Sequence, residues 1–142
     1  MDSSKFNHQF QIQLRFVDID AFGHVNNAVF ASYYETARVA YFDDVLGLRI
    51  NWKKNGLILA KNILEYKSPV YLRDTIICKT SVVKLGNKSI EIYNELIRKN
   101  NNKEELVACA HGILVCFDYE KNETIEIPAD WRELIKQKEN LN

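Results

Sequence analysis

Residues 15–38, RFVDIDAFGHVNNAVFASYYETAR, lie where the chain changes its hydrophobic period. Upstream, Phe6, His8, Phe10, Ile12, Leu14 and Phe16 alternate with Asn7, Gln9, Gln11, Gln13 and Arg15, and a period of two describes a strand with one buried face. From Asn27 onward, Phe30, Tyr33, Tyr34, Ala37, Tyr41 and Val45 recur at spacings of three and four as far as the C-cap residue Gly47. This predicts a helix of about five turns, apolar enough to form the centre of a core. Between the two patterns stand Asp18, Asp20, Gly23, His24, Asn26 and Asn27. Packing gives no reason for so many polar groups at the joint of two elements that both seek burial, so chemistry is sought there first.

After a loop containing NWKKNG, four more strand-like runs follow: LILAKNILEYKS, DTIICKTSVVKLG, KSIEIYNELIRKN and ELVACAHGILVCFDY. LGNK and KNNNKE, polar and rich in Gly or Asn, separate them as hairpin loops do, which makes the later strands antiparallel. Pro128 leads into ADWRELIKQK, where Asp130 and Glu133 have the spacing of a capping box for a short closing helix. One strand, one long apolar helix and a succession of antiparallel strands predict an α+β fold, with a sheet of five or six strands wrapped around one long central helix. No linker or internal repeat interrupts the chain, so a single domain over residues 1–142 is expected.

With 142 residues and 46% apolar composition, the chain can bury a core, about 70% of its unfolded surface at this size. Lys+Arg and Asp+Glu both number 19, and no long block of like charge occurs, which argues against nucleic acid as a partner. Cys78, Cys109 and Cys116 are odd in number and form no CxxC pair, so neither a disulfide framework nor a zinc knuckle is expected. They read as small buried hydrophobes in a reducing cytoplasm. MDSSKFNHQFQIQ lacks an apolar run of signal-peptide length, and no segment reaches the roughly 20 apolar residues of a membrane span. A soluble, unprocessed, cytoplasmic protein is the expectation.

DIDAFGHVNNAVFASYYETAR resembles the D-x-D-x-x-G-x-V…Y…E-x-x-R signature of the 4-hydroxybenzoyl-CoA thioesterase-like branch of the hot-dog-fold acyl-CoA thioesterases. The family's strand, loop, long helix, four further strands and closing IP…W segment correspond to residues 6–135, and SPVYLRDTI resembles its third-strand entry. The resemblance implies the hot-dog fold and hydrolysis of an acyl-CoA to free acid and CoA, with no metal and no cofactor beyond the CoA of the substrate. It implies Asp20 as nucleophile or general base and the backbone N–H of Asn27 as an oxyanion donor. It also implies Lys88 and Ser89 of NKSI near bound CoA, where a cation meets phosphates. Assembly as a homodimer with active sites at the interface, or as a homotetramer of two such dimers, belongs to the same expectation.

Thioester hydrolysis requires a carboxylate or an activated water to attack the carbonyl, and donors placed where negative charge develops on its oxygen. Asp20 lies just past the strand, within a few residues of the helix start, and Gly23 permits the turn between them. The first N–H groups of a helix lack internal partners and, with the helix dipole, bind developing negative charge. Each residue also has a structural role open to it: an Asx-turn for Asp20, a loop support for Asp18, helix caps for Asn26 and Asn27, and a hydrogen-bonding scaffold rather than a substrate contact for His24. A calcium loop does not fit, because Phe22 and Val29 occupy its fifth and twelfth positions.

Glu35 and Arg38, three apart, have the spacing of a helical ion pair. Other hot-dog thioesterases carry their catalytic carboxylate on the helix, which makes Glu35 the alternative to Asp20. Phe30 and Tyr33 are placed to line an acyl pocket, while Tyr34 and Tyr41 belong to the core. Lys88 reads equally as a solvated hairpin lysine. Two other functions fit the same fold: an acyl-ACP thioesterase, whose group HVNN also resembles, and a non-catalytic acyl-CoA-binding module. The dehydratase patterns D-x-N-P-x-x-H and H-F-P are absent.

Overall fold

The computed structural model describes residues 6–142, so the first five residues of the polar N-terminal run lie outside the described residues. In chain order the elements are β1 (His8–Ile12), a 3-10 turn (Phe16–Asp18), a second 3-10 turn (Asn27–Val29) opening directly into α1 (Phe30–Leu46), β2 (Asn55–Tyr66), β3 (Thr75–Leu85), β4 (Ser89–Asn100), β5 (Lys103–Asp118), the two-residue β6 (Glu123–Thr124) and α2 (Ala129–Glu139). Six strands form one antiparallel sheet in the order β1-β3-β4-β5-β2, with β6 pairing the end of β5. This is the expected hot-dog arrangement.

Alternation decides which side of the sheet meets the helix. Ile76, Cys78 and Val82 of β3, Ile90, Ile92 and Leu96 of β4, and Ala108, Ala110, Leu114 and Cys116 of β5 are buried in register beneath α1. Ile and Val suit such half-buried pleated positions because their branched side chains pack on strand neighbours. From α1 come Phe30, Tyr33, Tyr34, Ala37, Tyr41, Phe42 and Leu46, all buried, and each large side chain contributes about 1.5–3 kcal/mol by leaving water. The core divides along the helix: Tyr33, Tyr34 and Ala37 pack with Ile76 and Leu96, whereas Tyr41, Phe42 and Leu46 pack with Ile90, Ile92 and, from α2, Trp131 and Ile135. Gly47, at φ +58, ends α1 and donates to the Asp43 carbonyl, as a C-cap should.

Two local expectations are corrected. The alternation of residues 6–16 extends past the strand, which ends at Ile12; Phe16 stands 83% exposed on the first 3-10 turn. The cause is Asp18, whose carboxylate accepts from the Arg15 N–H at 3.0 Å and curls the chain out of the sheet. At α2 the capping box does not form. Pro128 is the N-cap residue, Asp130 accepts only from the Trp131 N–H at 3.1 Å, and Glu133 is bonded instead to Gln137 at 3.3 Å. Pro128 presents no side-chain acceptor to close the reciprocal pair.

All three cysteines are buried and unbridged. Burial drives the Cys78 thiol up to about 12 and Cys116 to about 11, so neither forms a thiolate readily. No helix among the described residues is long and apolar enough to cross a membrane.

Candidate active site

The joint between β1 and α1 is a loop folded on its own polar side chains. Asp18 is 1% exposed and accepts four hydrogen bonds: from Tyr33 Oη at 2.7 Å, from the Arg15 N–H at 3.0 Å, and from Arg15 Nε and Nη2 at 3.2 and 3.0 Å. Burial pushes its carboxyl group up, but the Tyr33 hydroxyl and the Arg15 donors outweigh burial and hold it below its ordinary value. Asp18 is therefore the support of the loop. Tyr33 spends its hydroxyl on this bond, and burial followed by the neighbouring Asp18 raises that phenol well above its ordinary value.

Asp20 follows on a turn of different character. Its N–H donates to the His24 carbonyl at 3.1 Å, and its carbonyl accepts from the Gly23 N–H at 3.0 Å. Gly23 completes the turn at φ +87, where a side chain would meet no atom within 4 Å but would force an L residue into an unfavoured backbone region. The Asp20 carboxylate is half-buried and divided in its duties. Oδ1 accepts from the Phe22 N–H at 2.9 Å, an Asx-turn, while Oδ2 faces Asn26 Nδ2 at 3.4 Å.

Asn26 links this carboxylate to the helix. Its Oδ1 caps the helix start by accepting from the Ala28 N–H at 2.8 Å, and its own N–H donates to the Asp18 carbonyl at 2.9 Å. Between these two satisfied amides, the Asn27 N–H has no acceptor among the described residues. Asn27 is an exposed residue at the positive end of the helix, next in sequence to the Asn26 side chain that bonds Asp20. Asn26 thus bonds a carboxylate oxygen through its side chain and is followed by a backbone donor without an acceptor among the described residues, the two kinds of group that acyl transfer requires.

Long-range bonds, absent from any local pattern, fix the loop from behind. The Val25 N–H donates to the Val70 carbonyl at 2.8 Å, and Tyr66 Oη donates to the Asn27 carbonyl at 3.1 Å while its ring meets Phe30 edge-on at 5.1 Å. The β2–β3 connection that carries Val70 is itself clamped by Arg98, which donates to the Pro69 carbonyl at 2.8 Å, Ser68 Oγ at 2.9 Å, Asp74 at 2.7 Å and Glu105 at 2.8 Å. The sequence offered Asp18 as a loop support but not its partner Arg15. Tyr66 and Arg98 gave no such signal.

A cleft of about 250 Å³ opens at the helix start, bordered by His24, Asn27, Phe30, Tyr66 and Lys67. Of the acyl-pocket candidates, Phe30 lines it and Tyr33 does not. His24 borders it with one ring nitrogen 3.2 Å from the Val25 carbonyl and its ring stacked against Phe22, the position of a scaffold at the rim.

Glu35 and Arg38 do not form the expected helical ion pair among the described residues, although both line a second cleft further along α1. Lys88 and Ser89 lie at the start of β4, with Lys88 Nζ 3.4 Å from Thr124 Oγ1. Arg98, near the Asp20 loop, is nine residues along the same strand, about 30 Å at strand rise. Within one chain the pair is remote from Asp20. Among the described residues no group of three His, Cys, Asp or Glu side chains is placed to hold a metal ion.

Comparison with known proteins agrees with this fold. A thioesterase from Thermus thermophilus, crystallised with coenzyme A and Zn, is 31% identical, covers 96% of this chain and 97% of its own, and superposes with a TM-score of 0.81. The long-chain acyl-CoA thioesterase FadM of Escherichia coli is 26% identical over 91% of this chain and 97% of its own length. A chloroplastic acyl-acyl carrier protein thioesterase of Arabidopsis thaliana is 27% identical over 88% of this chain, which spans only 65% of that relative. A structure of 4-hydroxybenzoyl-CoA thioesterase, 22% identical with a TM-score of 0.81, shares the fold. The sequence pattern of the thioesterase-like superfamily matches residues 14–135, and the chain belongs to that superfamily of thioester hydrolases.

Proposed function

We propose that this protein hydrolyses acyl-CoA thioesters to the free acid and CoA, with Asp20 as nucleophile or general base and the Asn27 N–H as oxyanion donor. The observation that carries the proposal is the unpaired Asn27 N–H beside a carboxylate held by the N-cap side chain. A thioester carbonyl set against the helix start places its oxygen near that amide and its carbon toward Asp20 Oδ2, the oxygen not engaged in the Asx-turn. In the first route Oδ2 attacks, CoA leaves as the thiolate and takes up a proton, and water cleaves the resulting anhydride. In the second, Oδ2 takes a proton from the water that attacks, and the tetrahedral intermediate then expels CoA as the thiolate, which takes up that proton. Either route uses only water and this chain's own groups, so no metal or redox cofactor enters. Cytoplasmic acyl-CoA is the proposed substrate pool, and a homodimer or homotetramer the proposed working form.

FadM of Escherichia coli, matched over nearly its whole length, favours CoA as the carrier. The carrier-protein relative and the HVNN stretch keep acyl-ACP as the second reading. Thiol release from a panel of short, long and aromatic acyl-CoAs and from matched acyl-ACPs decides between them. Faster turnover of an acyl-CoA, lost in Asp20→Asn, is the expected result. Tight acyl-CoA binding without thiol release would make the protein a binding module and sink the proposal.

A further inference from the structure

Arg98 stands near the end of β4, outside the cleft at the helix start, and its side chain is 15% exposed. All five of its N–H groups find acceptors. Nη1 donates to the Pro69 carbonyl at 2.8 Å and to Asp74 at 2.7 Å, Nη2 to Ser68 Oγ at 2.9 Å and Glu105 at 2.8 Å, and Nε to Glu105 at 3.1 Å. Glu105 is the residue of β5 in register with Arg98, so that pair ties strand to strand. The other three acceptors lie on the β2–β3 connection, residues 67–74.

That connection is irregular, and its backbone has few partners within the sheet. The Lys67 and Ser68 N–H groups share the Val107 carbonyl at 2.8 and 3.1 Å. Pro69 has no N–H to bond β5 in the same way, and Arg98 holds its carbonyl instead. The next residue, Val70, is 1% exposed and accepts from the Val25 N–H at 2.8 Å. A run of bonded neighbours therefore leads from Arg98 through Pro69, Val70 and Val25 toward Asn26 and Asn27. A second route starts where the connection begins. Tyr66 Oη donates to the Asn27 carbonyl at 3.1 Å, although the Phe30 N–H already donates to that oxygen. What the Tyr66 bond adds is a fixed place for Asn27 against the sheet.

We propose that Arg98 is a positioning residue for thioester hydrolysis: it holds the β2–β3 connection so that Val70 and Tyr66 fix the Asn27 N–H where the oxyanion forms. The inference rests on the reading of Asn27 as the oxyanion donor. Such a donor acts mainly in the transition state, because the charge on the oxygen develops there, so misplacing it lowers kcat and leaves KM. A shift of about 1 Å caused far from the chemistry can cost about 100-fold. Lysine is no substitute at this position, since an ammonium is a point charge and does not span Pro69, Ser68 and Asp74 as a planar fork does.

Arg98→Lys keeps the charge beside Asp74 and Glu105 and should still lower kcat about tenfold with KM nearly unchanged. Tyr66→Phe removes a single hydroxyl, folds whether or not the first variant does, and should lower kcat in the same way. Circular dichroism at the assay temperature establishes that each variant is folded; a merely structural Arg98 would leave the kcat of folded protein intact. Nitrogen-15 relaxation reads the amide itself, and the Asn27 order parameter should fall from about 0.85 toward about 0.6 in either variant. Wild-type protein that releases no thiol from acyl-CoA would overturn the proposed function and this role with it. Active wild-type protein whose two variants keep its kcat, or keep the Asn27 amide as rigid as before, would overturn this role alone.

Discussion

Asp20 shapes its loop through one oxygen and is proposed to act on substrate through the other, and one substitution separates the two roles. Asn keeps an oxygen to accept from the Phe22 N–H, so the Asx-turn survives in Asp20→Asn, while the negative charge and the basic lone pair are lost. Turnover should fall by about 100-fold or more with melting temperature nearly unchanged. Near-normal kcat would remove Asp20 from the chemistry and promote Glu35. Asp18 makes the opposite case, a carboxylate whose work is structural. Its folded value lies below the ordinary 3.8, so the stability it supplies is complete above that pH and disappears as pH falls through the lower folded value. Asp18→Asn should lower stability by about 1–3 kcal/mol near neutral pH. It should also flatten the acid limb of the stability curve below pH 3.8. Urea midpoints taken across that range test both, and an unchanged acid limb would show that another group dominates it.

At the scale of elements, the joint between β1 and α1 depends on Asn26, which caps the helix and touches Asp20 with the same side chain. Asn26→Ala should cost about 1 kcal/mol as a lost cap and should also lower kcat, since it frees Asp20; a stability loss with kcat intact would separate cap from catalysis. At the other end of α1, Trp131 is 2% exposed, donates its indole N–H to the Arg49 carbonyl at 3.3 Å, and seals the second half of the core. Trp131→Ala should remove about 3–5 kcal/mol, read by chemical denaturation. These elements were legible in the sequence because periodicity is local: a helix of spacing three and four and strands of spacing two declare themselves within a dozen residues. The end of β1 was not, because alternation continues through Leu14 and Phe16 while a bond to Asp18 turns the chain away. Asp20, Asn26 and Asn27 could be found as a cluster because they are neighbours in sequence. Tyr66 could not, because it reaches Asn27 across 39 positions.

At the scale of the whole molecule, the distance between Asp20 and the Lys88–Ser89 pair becomes a statement about assembly. Ser89 is in register with Val115, and Val115 with Ile58, so the pair belongs to the end of the sheet where β2 begins, whereas Tyr66, at the other end of β2, touches the Asn27 loop. In the proposed homodimer, antiparallel pairing of the free β2 edge with its own copy would reverse the direction of the second sheet. The beginning of one β2 would then lie beside the end of the other, and the second copy's Lys88 would come toward the cleft at Asn27, where a cation can meet CoA phosphates. A site divided in this way predicts complementation. Asp20→Asn chains lack the proposed carboxylate, Lys88→Glu chains repel the phosphates, and each homodimer should be impaired, the second mainly through a raised KM. In a mixed dimer one of the two sites receives Asp20 from one chain and Lys88 from the other, both intact. Random pairing of equal amounts makes half of the dimers mixed, so about a quarter of the sites recover. Refolding the two variants together and measuring acyl-CoA turnover tests this, and activity equal to the mean of the separate variants would place Lys88 outside the site.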